Sequence, residues 1–109
     1  MNTREFGRLA ESASVIYYQK KGYRLVTQNF FYSKYGEIDL IMEDDETLVF
    51  IEVKASKKLN PEIELLEKIN NRKQQKMRLT ATHFLSQFQT NKNLRFDAAI
   101  CFFNQNEWQ

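Results

Sequence analysis

The segment GEIDLIMEDDETLVFIEVKAS, Gly36 to Ser56, constrains the fold more than any other part of the chain. It holds two apolar runs separated by the acidic stretch Asp44-Asp45-Glu46. Their length and spacing predict two neighbouring strands, Glu37 to Glu43 and Thr47 to Ala55. Both strands carry charge within them: Asp39 in the first, Glu52 and Lys54 in the second. Charges are rarely buried in apolar strands without a partner, so these three positions ask for a chemical reason.

Side chains alternate between the two faces of a strand. In an unbroken strand Ile38, Leu40 and Met42 share one face, and Glu37, Asp39 and Ile41 the other. In the next strand Val49, Ile51 and Val53 oppose Leu48, Phe50, Glu52 and Lys54. A connection of two or four residues places Asp39, Glu52 and Lys54 on one side of the sheet. With two residues, Asp39 faces Glu52 and Glu37 faces Lys54, whereas an odd connection without a bulge separates them.

Two carboxylates held together repel unless positive charge lies between them. Lys54 supplies some of it, and a divalent cation supplies more. Hard Mg²⁺, or Mn²⁺ in its place, prefers carboxylate oxygen and keeps several waters. Such an ion activates water and stabilises charge on a phosphate. Lys54, aimed at the same space, can orient the attacking water or stabilise developing negative charge. The set therefore suits phosphodiester hydrolysis. The alternative is an ordinary surface ion pair between Glu52 and Lys54.

The flanking segments frame these strands. Asn2 or Thr3 caps a first helix with Glu5 in its first turn, and Phe6, Leu9, Ala10, Ala13, Ile16 and Tyr17 predict its buried stripe. Glu11 falls just outside that stripe, with Gly7 and Ser14 beside it leaving room to approach the sheet, so Glu11 is a third candidate ligand. Tyr23 to Phe31 reads as a strand. Asn60-Pro61 reads as a helix start, with Asn70-Asn71 as a break or restart. Met77, Ala81, Phe84, Leu85 and Phe88 form the apolar stripe of the second helix. Phe96 to Phe103 reads as a last strand, buried on both faces. The expected architecture is α/β, in the order α-β-β-β-α-β, within one domain spanning residues 1–109.

Composition limits the remaining options. One cysteine, Cys101, excludes an internal disulfide, and one histidine, His83, excludes a multi-histidine metal site. The net charge of +2 neither argues for nucleic-acid binding nor opposes it. No run has the length of a membrane span, and the N-terminus lacks a signal-peptide core. A cytoplasmic location with no membrane association is expected.

Taken in order, GRLAESA from Gly7, KKGYRLVTQNF from Lys20, GEIDLI from Gly36, LVFIEVK from Leu48, RKQQKMRL from Arg72 and RFDAA from Arg95 resemble the YraN-like bacterial family of endonuclease-like proteins. An aspartate followed by Glu-x-Lys also resembles the PD-(D/E)XK nuclease superfamily, which includes Holliday-junction resolvases. The resemblance covers nearly the whole chain. It implies a restriction-endonuclease-like mixed β-sheet flanked by helices and a metal-dependent site. Glu11, Asp39 and Glu52 match the family's metal-binding acids, and Lys54 its catalytic lysine, with Glu37 the acid of GEID. The implied substrate is DNA, branched or otherwise structured, and a homodimer is implied by analogy.

Arg72, Lys73 and Lys76 are candidate phosphate contacts, Lys73 foremost because it lies one turn before Met77 and faces the end of the sheet. Phe30, Phe31, Tyr32 and Tyr35 can stack on unpaired bases but read better as strand and core residues. His83 reads as a boundary residue, Cys101 as a buried thiol, and Asp97 as a partner for Arg95. Two alternatives to catalysis stand: a non-catalytic nucleic-acid-binding module on the same fold, and an interaction protein with structural ion pairs.

Overall fold

The computed structural model describes residues 2–56, 71–104 and 107–108. Helix α1 spans Thr3–Lys20, followed by strands β1 (Arg24–Tyr32), β2 (Gly36–Glu43) and β3 (Thr47–Ser56). Helix α2 (Asn71–Gln87), strand β4 (Asn93–Asn104) and the two-residue strand β5 (Glu107–Trp108) complete the order. The expected helix start at Asn60-Pro61 lies outside the described residues. The sheet runs β1-β2-β3-β4-β5, with β3 and β4 parallel and the other neighbours antiparallel. This is the mixed sheet of an α/β fold in the order α-β-β-β-α-β, with β5 added at its edge.

The Asn2 side chain accepts from the Glu5 backbone N–H at 2.9 Å and donates to Glu5 Oε1 at 3.3 Å, a reciprocal cap that starts α1. Gly22, at φ 94°, takes the left-handed conformation just beyond the helix end. The β2–β3 connection closes tightly: the Asp44 N–H donates to the Thr47 carbonyl at 3.0 Å, and the Thr47 N–H donates to Asp44 Oδ1 at 2.7 Å. The Glu46 N–H also donates to Asp44 Oδ1, at 2.9 Å, and the Glu46 and Thr47 N–H groups together hold the Asp44 carboxyl below its usual range. The register runs Glu43↔Leu48 to Leu40↔Ile51, the one a two-residue connection generates.

One apolar cluster lies on each face of the sheet. On the α2 side, Ile38, Ile41, Leu48 and Phe50 pack with Ala81 and Phe84. On the α1 side, Leu40, Met42, Val49 and Ile51 pack with Tyr18.

Three expectations change. The buried face of α1 is Ala10, Ser14 and Tyr18, while Leu9, Ile16 and Tyr17 are exposed. Polar atoms explain the substitution: Ser14 Oγ donates to the Ala10 carbonyl at 2.8 Å, and Tyr18 donates to Asp97 Oδ2 at 2.6 Å, so both can be buried satisfied. Gly7 is not a point of close approach, since a Cβ there would meet nothing within 4 Å. Strand β4 is not covered on both faces: Leu94 is 49% and Phe96 45% exposed, because α2 packs on β1 and β2.

Candidate functional site

Cluster membership locates a break in β2. Leu40 and Met42 lie on the α1 side, yet Ile38 lies with Ile41 on the α2 side. Strict alternation would send Ile38 with Leu40. The alternation therefore breaks between them, at Asp39. The neighbouring strand carries a matching irregularity: Gln28 pairs with Leu40 and Phe30 with Ile38, and Asn29 between them has φ 52°. Asn29 was not singled out from the sequence, although asparagine is among the few residues that take positive φ readily.

The break changes what Asp39 does. Its Oδ2 accepts from the Val53 backbone N–H at 2.7 Å, just past the last β2–β3 pair, Leu40↔Ile51. The carboxylate points along the sheet toward β3 and takes a donor that a continued ladder would give to a carbonyl. The two strands part at this point, and such irregularities commonly re-aim a side chain beside a functional site.

Glu52 and Lys54 continue the row of Leu48 and Phe50 on the α2 side. Lys54 Nζ lies 2.9 Å from Glu52 Oε1, and both side chains are largely buried. Lys73, exposed on α2, is close enough to Lys54 to contribute to the rise of its ammonium. Arg72 and Lys76 are exposed on the same first turns of α2. A pocket of about 290 Å³ opens beside Glu52, between α2 and β4, and includes Gln74, Met77, Arg78 and Phe96.

Glu11 approaches from α1. Burial raises its carboxyl first, then the charge of Glu37, while a hydrogen bond with Asn29 works against the rise and Glu52 adds to it. Asp39 sits between the two groups. It is 9% exposed, and burial pushes its carboxyl up to about 7; Glu52 is the main charged contributor, with Glu37 and Glu11 behind, and the Val53 hydrogen bond opposes them. For Lys54, burial works against the ammonium, but its bond to Glu52 outweighs that and the net direction is upward.

The acids thus gather at one seam but do not line one face, as an unbroken β2 would have them. Glu52 and Lys54 come from the α2 side, Glu11 from the α1 side, and Asp39 lies in the sheet between them. Among the described residues, no three of His, Cys, Asp and Glu form a ready ligand group. The donor chemistry still fits Mg²⁺ or Mn²⁺. Mg²⁺ keeps several waters and needs only one or two carboxylates, and the repulsion that adds to burial in raising Asp39 is what a cation relieves.

The other candidate residues have structural partners. Arg95 forks onto Asp97 at 2.8 and 3.1 Å and reaches the Tyr23 hydroxyl at 3.1 Å. Burial alone would raise the Asp97 carboxyl, but Arg95 and Tyr18 hold it below its usual range. Phe30 packs in the core, whereas Phe31 is 63% exposed. His83 stacks on Tyr32 with ring centroids 4.0 Å apart. Cys101 is buried against Ser14. Among the described residues, no helix is long and apolar enough to cross a membrane.

Comparison with known proteins finds relatives of this chain. The family model described as uncharacterised protein family UPF0102 matches residues 10–101, a span that includes Glu11, Asp39, Glu52, Lys54 and Lys73. A UPF0102 protein of Psychromonas ingrahamii is 44% identical over 95 residues, covering 84% of this chain and 74% of the relative. One from Natranaerobius thermophilus is 38% identical over 112 aligned positions, covering 98% and 90%. One from Vibrio parahaemolyticus is 40% identical over 97 residues, covering 86% and 78%.

Proposed function

The chain belongs to the UPF0102 family, and we propose that it is a metal-dependent nuclease of the PD-(D/E)XK type, hydrolysing phosphodiester bonds in DNA. The observation that carries this reading is the seam where β2 and β3 part, with Asp39 held in the gap, Glu52 as its main charged neighbour and Lys54 paired to Glu52. Buried like charges destabilise a fold and are retained where a function uses them, and strongly shifted carboxyls in such a place point to functional sites.

In this reading Asp39 and Glu52 would hold Mg²⁺, and Glu11 would bind the ion or its waters. The bound ion would supply Lewis acidity and lower the pKa of water. Lys54, steered by Glu52, orients the attacking water or offsets negative charge on the phosphate oxygens. Water adds to phosphorus, one ester P–O bond breaks, and the departing oxygen takes up a proton. Lys73, with Arg72 and Lys76 outside it, neutralises flanking backbone phosphates. A location in the cytoplasm and an action on branched or structured DNA belong to the same proposal.

A second reading, a DNA-binding module without catalysis, draws on the spread of the acids across the sheet. One experiment separates the two. Duplex, flapped, single-stranded and four-way DNA are incubated with Mn²⁺ or Mg²⁺ and either the wild-type chain or Asp39→Ala/Glu52→Ala. Cleavage lost in the double variant supports the nuclease. Binding without cleavage, unchanged or tighter in the variant, supports the module. Cleavage that persists in the variant sinks the assignment of the site.

A further inference from the structure

Helix α1 presents a second face with exposed apolar side chains, Leu9 and Ile16, against which no described element packs fully. At 100° per residue, Glu5, Leu9, Ser12, Ala13, Ile16 and Lys20 fall within an arc of about 100°. The arc lies opposite the buried Ala10, Ser14 and Tyr18. Leu9 is 39% and Ile16 52% exposed, and Glu5, Ser12 and Lys20 are exposed as well. Leu9 and Ile16 lie two turns apart on this face, with the small Ser12 and Ala13 between them.

The order of residues along the arc says what fits it. Reading inward from both ends gives Glu5 and Lys20, then Leu9 and Ile16, then Ser12 and Ala13. Each pair is equidistant from the midpoint between Ser12 and Ala13. A second α1 laid antiparallel across a two-fold axis at that midpoint sets Leu9 against Ile16 of the partner subunit. The same axis sets Glu5 against Lys20 of the partner subunit, at both ends of the contact. Ser12 and Ala13 are small enough for the helices to approach closely where they cross. The face is complementary to itself in both shape and charge, the requirement of an isologous two-fold interface.

We propose that two copies of this chain associate through the outer face of α1, antiparallel, with the two-fold axis between Ser12 and Ala13. The arc extends for sixteen residues, about 24 Å of helix at 1.5 Å per residue. One helix pair lies at the small end of interface sizes, so the dimer dissociates on dilution. Glu11 lies on the other side of the same helix, so association leaves the acidic seam of each copy uncovered. The proposal does not depend on what that seam does.

Sedimentation velocity across a concentration series, with circular dichroism to confirm folding, tests it by charge reversal. Wild type is expected to show a reversible monomer–dimer equilibrium. Glu5→Lys or Lys20→Glu alone places like charges at both ends of the contact and is expected to weaken the dimer about tenfold. The double variant Glu5→Lys/Lys20→Glu restores opposite charges and should recover the dimer. In parallel, Ser12→Cys should form a disulfide between copies on mild oxidation, while Thr82→Cys, exposed on α2, should not. A chain that stays monomeric at its highest soluble concentration overturns the proposal. So does a dimer that neither single reversal weakens, or one that the double reversal fails to rescue.

Discussion

Asp39→Asn provides a quantitative test of the charged seam. The asparagine oxygen can still accept the Val53 N–H, so the geometry is kept and only the charge is removed. The folded protein holds the Asp39 proton more tightly than the unfolded chain does, because burial and Glu52 raise its carboxyl from 3.8 to about 7. Ionisation therefore costs stability. The cost is absent below about pH 4, grows as pH rises, and is complete above about pH 7. The rise from 3.8 to about 7, at ~1.4 kcal/mol for each tenfold change in proton affinity, sets an upper bound of ~4 kcal/mol, and relaxation with water entry brings the expectation to about 2–4 kcal/mol. That is a large share of the ~5–15 kcal/mol by which most domains are stable. Urea unfolding of wild type and Asp39→Asn, followed by circular dichroism from pH 4 to 8 in EDTA, measures it. The variant should match wild type near pH 4 and exceed it by about 2–4 kcal/mol near pH 8. Other titrating groups largely cancel in the difference. A difference that does not change with pH, or one that favours wild type at high pH, refutes the argument that Asp39 is a buried, repelled carboxylate.

Lys54→Met leaves Glu52 without its 2.9 Å partner in a largely buried setting; it should destabilise the fold by about 1–3 kcal/mol at neutral pH in urea titrations and abolish cleavage in a gel assay. Lys73→Ala and Lys76→Ala should each weaken DNA binding at every sequence and lower the slope of log K against log salt by about one, read by fluorescence anisotropy. Tyr18→Phe removes the 2.6 Å bond to Asp97 and should cost about 1–2 kcal/mol in thermal unfolding while leaving metal-dependent cleavage unchanged.

The hairpin that holds Asp39, Glu52 and Lys54 was legible because its signals agree: alternating apolar residues, an acidic turn and a register set by connection length. The stripe of α2 was legible for the same reason, since Met77, Ala81 and Phe84 leave only one face to bury. Helix α1 was harder to read because it carries apolar residues on two faces. Counting hydrophobic side chains favours Leu9 and Ile16, but burial goes to Ser14 and Tyr18, whose hydroxyls exchange water for protein acceptors on folding, Tyr18 with a partner distant in sequence. The last strand misled for a related reason: its composition suits burial on both sides, but which side is covered depends on where α2 lies. In β2 the identity of Asp39 was plain, and its direction was not. A two-residue period sends it to one face, whereas the break beside Asn29 turns it into the sheet, a tertiary effect that no pattern within β2 records.

The proposed chemistry requires Asp39 and Glu52 to share one divalent cation. Titration of the wild-type chain with Mn²⁺ at pH 7.5, with free ion followed by electron paramagnetic resonance, tests it most directly. One bound Mn²⁺ per chain is predicted, lost in Asp39→Asn/Glu52→Gln and competed away by Mg²⁺. No bound Mn²⁺ in the wild type, or equal binding in the double variant, would contradict the claim.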